Sequence, residues 1–75
     1  MTYIIVGRKS CPYCIAAKKL LHDKRLPYEF HNIETFDKTS TLWKKKPSEH
    51  KTVPVIFYAG KFIGGYSELC QFVLK

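Results

Sequence analysis

Tyr3-Ile4-Ile5-Val6-Gly7-Arg8-Lys9-Ser10-Cys11-Pro12-Tyr13-Cys14 opens with an apolar run, stops at a glycine, and ends on two cysteines separated by two residues. The run from Tyr3 to Val6 is short, continuous and rich in β-branched residues, which predicts a buried strand. Pro12 lacks an N–H and has φ near the helical value, so it suits the first turn of a helix, where the missing donor costs nothing. The helical pattern continues to about Lys24, with Ile15, Ala16 and Leu20 on one stripe. Leu26-Pro27 is expected to stop it.

Working outward, Tyr28, Phe30 and Asn32 alternate with Glu29, His31 and Ile33, the pattern of a second strand. Leu42 and Trp43, among polar residues between Thr35 and Lys46, suggest a short helix that Pro47 ends. Val55 to Tyr58 reads as a third strand. Ala59-Gly60 turns the chain, and Lys61 to Ile63 returns as a fourth strand. Gly64-Gly65 makes a loop, and Ser67 suits the cap of a last helix with Leu69, Phe72 and Val73 on one face. The expected order is β-α-β-α-β-β-α. Its first half is a βαβ unit with parallel strands, and its second half is an antiparallel hairpin plus a helix. The prediction is an α/β fold: a four-stranded mixed sheet flanked by three helices.

Seventy-five residues accommodate one domain, residues 1–75. A hydrophobic fraction of 45% is too high for a disordered chain. No apolar stretch approaches the roughly 20 residues that span a bilayer. The chain enters its strand pattern at once, with no basic region followed by an apolar run and small residues, so no signal peptide is expected and the location expected is cytoplasmic. Three cysteines, one close pair and the distant Cys70, fit a reducing compartment with one working pair better than a secreted disulfide scaffold. Thirteen basic against six acidic residues give a net charge of +7. That charge serves a solvated surface, or attracts acidic partners or anionic small molecules. Lys44-Lys45-Lys46 beside Trp43 is a poor match to the interleaved basic and aromatic face of a nucleic-acid binder.

The cysteine pair suits thiol–disulfide exchange. The thiolate is the nucleophile, so such a site must favour ionisation of one cysteine. Cys11 falls near the helix N-cap, where the free N–H groups of Tyr13 and Cys14 and the helix dipole favour negative charge. Arg8, Lys9 and Lys18 add positive charge nearby. Cys14 lies one turn inside the helix and should be more covered. Cys11 is therefore the expected attacking sulfur and Cys14 the resolving one. Two other roles compete. As a structural staple, a four-residue loop would contribute only about 2 kcal/mol. As a zinc site, the pair would need Cys70 and one of His22, His31 or His50, none of them paired at ligand spacing. No metal is expected.

Cys11-Pro12-Tyr13-Cys14, Thr52-Val53-Pro54 and Gly64-Gly65-Tyr66-Ser67-Glu68, in this order and at these separations, resemble the motifs of dithiol glutaredoxins, a family of the thioredoxin-like fold. The likeness covers essentially the whole chain, and Pro-Tyr within the motif is typical of that family, whereas thioredoxins carry Gly-Pro. The resemblance implies a glutathione-dependent thiol–disulfide oxidoreductase with glutathione as co-substrate. Cys11 would attack a protein disulfide or take glutathione from a glutathionylated protein. A second glutathione, or Cys14, would resolve the mixed disulfide, and a separate NADPH-dependent reductase would recycle glutathione disulfide. Carried over by position, Arg8 lies near the glycyl carboxylate of glutathione and Tyr13 lines the groove. Thr52, Val53 and Pro54 form the segment in which the Val53 backbone pairs with the glutathione cysteine and Pro54 is cis. Gly65 and Tyr66 belong to the implied glutathione site, and Ser67 and Glu68 of the same motif match the positions that hold the γ-glutamyl end. Helix-opening N–H groups suit its carboxylate, and the Glu68 side chain suits its ammonium.

Cys70 has no place in the family motif and reads as a half-buried small hydrophobe. The lysine run matches no catalytic part and suits steering of glutathione or an acidic protein. Expected partners are glutathione and disulfide-containing or glutathionylated proteins, ribonucleotide reductase among them, met by a monomer away from membranes. One alternative is a short glutaredoxin-like redoxin, fed by thioredoxin reductase and donating electrons to ribonucleotide reductase. Chain length fits it, while Pro-Tyr, Arg8 and Ser67-Glu68 argue against it. Another is a dimer that bridges an iron–sulfur cluster through Cys11 and glutathione, against which Pro12 and the bulky Tyr13 argue.

Overall fold

The computed structural model describes residues 2–48, 50 and 52–74. The elements are β1 (Tyr3–Gly7), α1 (Pro12–Asp23), β2 (Tyr28–Asn32), α2 (Thr41–Lys44), β3 (Val55–Tyr58), β4 (Lys61–Gly64) and α3 (Tyr66–Val73). The sheet order is β2-β1-β3-β4. β1 runs parallel to β2, with Ile5 beside Phe30, and antiparallel to β3, with Val6 beside Val55. β4 returns antiparallel to β3, with Phe62 beside Phe57. This is the expected order of elements and the thioredoxin-like arrangement.

Strand alternation divides the core. Ile5 and Ile56 face α1 and α3, where they meet Ala17, Leu21 and Leu69. Val6, Val55 and Phe57 face the other way, under Leu42 and Trp43 of α2. Ile5, Leu21, Ile56, Phe57 and Leu69 are wholly buried. Each contributes roughly 1.5–3 kcal/mol relative to exposure. Among the described residues, no helix is long and apolar enough to cross a membrane.

The wholly buried residues of α1 are Cys14, Ala17 and Leu21; of the expected stripe Ile15, Ala16 and Leu20, only Leu20 packs, partly buried, against the core cluster. Ile15 is 49% exposed. The two stripes are equally apolar on paper, and packing against the sheet selects between them. The helix also ends earlier than the Leu26-Pro27 signal. Arg25 takes a left-handed conformation, φ 58°. Its N–H bonds the His22 carbonyl at 3.0 Å, and the Leu26 N–H bonds the Leu21 carbonyl at 2.9 Å. These two bonds form a Schellman cap, so the backbone reverses before proline is reached.

The expected helix between Thr35 and Lys46 is confined to Thr41–Lys44. Asn32 and Asp37 take the N–H groups of Glu34 and Thr39 on their side chains, which turns the chain instead of coiling it. Ser40 then caps α2 by accepting from Trp43 N–H. In the hairpin, Ala59 and Gly60 both have positive φ, 54° and 75°, the signature of a type I′ turn. α3 begins at Tyr66 with Gly65 as its N-cap, so Ser67 lies inside the first turn and does not cap it. Leu69 is the buried residue of α3, Val73 is half-buried and Phe72 is largely exposed.

Strand direction gathers the three motifs. β1 ends where β3 begins, because the two are antiparallel, so Gly7 reaches the level of Pro54. β4 also ends there, placing Gly64-Gly65 at the same edge. Residues about 40 and 50 positions from Cys14 in sequence thereby meet at one end of the sheet.

Candidate active site

The loop after β1 delivers Cys11 to the N-cap of α1 with extended backbone, φ −77° and ψ 122°. Its carbonyl accepts from Ile15 N–H at 3.0 Å, the first bond of the helix. Its sulfur makes no full cap hydrogen bond but lies in the field of the first-turn N–H groups. Cys11 is half-exposed, Cys14 is wholly buried, and both are free thiols.

The two sulfurs sit in opposite electrostatic settings. At Cys11, desolvation opposes the thiolate, but it is outweighed by the Cys14 N–H and thiol, the Tyr13 N–H and the Arg8 charge. The net result holds the Cys11 pKa below that of an ordinary thiol. At Cys14, burial pushes the pKa up. The Arg8 backbone N–H and the Lys18 charge pull it down, while the Cys11 sulfur raises it further. Of the expected basic residues, the Arg8 charge is a leading influence on Cys11 and the Lys18 charge on Cys14.

Gly7 is the joint of the site, and sequence reading treated it only as a strand stop. A β-carbon there would overlap the Cys14 sulfur and lie 3.7 Å from Pro54 Cα. Val53–Pro54 is a cis peptide bond, and Pro54 is buried. Val53 is half-buried, and Thr52 is exposed at the approach to it. Beyond Pro54, a β-carbon on Gly65 would lie 3.7 Å from the Pro54 carbonyl oxygen. Tyr13, 63% exposed, places its ring 6.0 Å from that of Tyr66. Cys11, Tyr13, Gly65 and Tyr66 are thus the accessible or half-accessible residues here, with Cys14 and Pro54 buried beneath them.

Two of the remaining candidates, Arg8 and Glu68, already have partners. Arg8 is exposed and pairs with Glu34 at 3.5 Å. The Glu68 carboxylate is engaged by its own helix, accepting the Gly65 N–H at 2.7 Å. Glutamate three residues past the cap is well placed for this bond, which competes with the expected ammonium contact. Ser67 is exposed in the same turn. Cys70 is half-buried as expected. Its thiol is the first cause of a raised Tyr66 pKa.

His50, weighed in the sequence only as a possible zinc ligand, is a neighbour of the site. Its ring lies 5.1 Å from Phe62 and 3.6 Å from where a Gly65 β-carbon would stand. Its buried Nε2 has no hydrogen-bond partner among the described residues. No cluster of three His, Cys, Asp or Glu side chains suited to a metal forms among those residues.

Residues 3–63 match the family model for glutaredoxin. The chain belongs to the glutaredoxin family. It is 39% identical over 69 residues to glutaredoxin 1 of Rickettsia conorii, covering 91% of this chain and 68% of that protein. It is 31% identical over 83 residues to a probable glutaredoxin of Acanthamoeba polyphaga mimivirus, covering 96% and 77%. Its structure is similar to that of reduced Escherichia coli glutaredoxin, with a TM-score of 0.78 and 36% identity over 99% of this chain and 94% of that one. A buckwheat glutaredoxin solved as its glutathione complex shares the fold, with a TM-score of 0.74 and 22% identity over 92% and 64%. Family and fold are those of a thiol–disulfide oxidoreductase.

Proposed function

We propose that this chain reduces protein disulfides and glutathione mixed disulfides with glutathione as its electron donor. The observation that carries the reading is the asymmetry of the two sulfurs. Cys11 is accessible and its thiolate is favoured, whereas Cys14 is buried and its thiol is favoured. The Cys11 thiolate attacks one sulfur of the substrate disulfide. A Cys11–S bond forms, the substrate S–S bond breaks, and the leaving thiolate takes a proton from solvent. A glutathione thiolate then attacks the adduct and releases Cys11. Alternatively, Cys14 attacks Cys11 and closes the intramolecular disulfide, which two glutathiones reopen.

In this reading the tripeptide lies along the surface from Arg8 to α3. Arg8 receives the glycyl carboxylate, the Val53 backbone pairs with the central cysteine, and the N–H groups of Ser67 and Glu68 receive the γ-glutamyl carboxylate. Tyr13 and Tyr66 wall the groove, with Thr52, Pro54 and Gly65 shaping its floor. The family, and the glutathione complex of the buckwheat protein with the same fold, support glutathione as co-substrate. A reducing compartment such as the cytoplasm suits a resting state with free thiols.

The test is turnover of a small glutathione mixed disulfide, followed by NADPH oxidation. One arm contains glutathione and glutathione reductase, and the other contains thioredoxin reductase alone. Activity in the first arm only is expected. Activity in the second only would make the chain a thioredoxin-reductase-fed redoxin and remove the groove assignments.

A further inference from the structure

Cys14 is buried, yet it must act as a thiolate to close on a Cys11 adduct. Burial opposes that ionisation, so the closing step needs compensation from a nearby positive group. Lys18 sits one helical turn after Cys14 on the same side of α1. Lysine ammonium groups on helix surfaces usually roam through several rotamers. This one is held: its Nζ lies 4.3 Å from the centroid of the Phe30 ring on β2, a cation–π contact. Phe30 is itself fixed in the parallel register with Ile5 and packed against the core.

We propose that Lys18, pinned over Phe30, is a positioning residue for Cys14 and sets how fast Cys14 displaces the substrate thiol from Cys11. The site then carries one cation for each sulfur: Arg8 for the attacking one and Lys18 for the resolving one. In the step concerned, Cys14 loses its proton to solvent and its thiolate attacks Cys11 Sγ. The Cys11–Cys14 bond forms, the bond from Cys11 to the substrate sulfur breaks, and the substrate leaves as a thiolate. The ionisable and charged groups around Cys14 are Cys11 and the loop of Arg8 at the helix start, and Lys18 on the helix itself. On the sheet side the Gly7 backbone, which is not ionisable, lies against the Cys14 sulfur. The direction agrees with the lowering that the Lys18 charge exerts at Cys14.

The inference rests on the proposed division of labour between the sulfurs, so its test avoids glutathione altogether. In a Cys70→Ser background, Cys11 is converted to its mixed disulfide with thionitrobenzoate. Release of the coloured thiolate then reports closure by Cys14. Lys18→Met is expected to slow closure about threefold at neutral pH, the size given by a partly solvent-screened charge at helix-turn distance. The deficit should disappear at alkaline pH, where Cys14 ionises unaided. Lys18→Arg should restore the rate, and Phe30→Leu, which frees the ammonium, should give an intermediate one. A deficit equal at every pH, or none at all, overturns the proposal. If glutathione were not the donor, the coupled turnover assay would fail while this readout stayed as expected.

Discussion

Gly7 and Cys14 are packed so closely that no β-carbon fits between them. The last residue of β1 thereby fixes how far the second cysteine can sink beneath the first. Gly7→Ala must push the Cys14 sulfur or the start of α1 aside. Overpacking of this kind costs about 1–3 kcal/mol. The expected outcome is a lower midpoint in urea with unchanged slope, together with slower closure of the Cys11–Cys14 disulfide. A variant with unaltered stability and closure would show that the contact is slack.

The roles of the two sulfurs separate on mutation. Cys11→Ser should abolish both activities, because no other thiol occupies the accessible helix start. Cys14→Ser should retain turnover of glutathione mixed disulfides, since a second glutathione can resolve the adduct. It should lose most reduction of protein disulfides, where the resolving thiol must be held in place. Parallel assays on both substrate types check this, and equal loss in both would reverse the assignment.

The reactivity profile follows from the opposite pKa shifts. With its pKa lowered, Cys11 stays ionised as pH falls past the ordinary thiol value of about 8.5 and loses reactivity only below it. With its pKa raised, Cys14 becomes reactive only above that value. The stability signs are opposite too. Ionised Cys11 favours folding in full above the unfolded thiol value, and the contribution fades as pH falls through the lowered one. Protonated Cys14 favours folding in full below the unfolded value, and the contribution fades as pH rises through the raised one. Iodoacetamide alkylation of the Cys14→Ser and Cys11→Ser variants against pH should give midpoints on either side of free cysteine.

Arg8 enters the proposed cycle already engaged. Glu34, fixed by the bond from its N–H to Asn32, sits 3.5 Å from the guanidinium and competes with any incoming carboxylate. Both side chains are exposed, so the pair contributes little, of the order of 0–1 kcal/mol. Glu34→Gln should lower KM for glutathione two- to threefold at low salt, an estimate set by that energy range. The change should leave kcat nearly constant and shrink as salt is added. A KM that does not move would take Arg8 out of carboxylate binding.

Strong local signals made much of this molecule legible. The Tyr3–Val6 run, the hairpin turn at Ala59-Gly60 and the Cys11-Pro12 helix start each depend on a few adjacent residues. The choice between stripes on α1 was not legible, because Ile15 and Leu20 are as apolar as Ala17 and Leu21 and only the sheet decides which faces inward. Lys18 could not be assigned to one sulfur before Phe30 was known to hold it. The Glu68 side chain suggests a charge contact, although its position three residues past Gly65 also suits the helix cap it forms. His50 stands in a polar stretch, and nothing nearby in sequence announces its packing against Phe62.

Arg25 occupies the left-handed position of the cap that ends α1. The bonds from Arg25 and Leu26 back to His22 and Leu21 require that conformation, and Leu26 packs against the same core cluster as Leu21. Arginine adopts it at a cost of about 1 kcal/mol, which glycine does not incur. Glycine also gives up more freedom on folding, which offsets part of the gain. Arg25→Gly should therefore stabilise the fold by about 0.5–1 kcal/mol and raise Tm by several degrees in a domain of this size. Arg25 lies at the far end of α1 from Cys11, so the pH profile of alkylation should not change. A fall in Tm would mean that the arginine side chain contributes more to the fold than its backbone conformation costs.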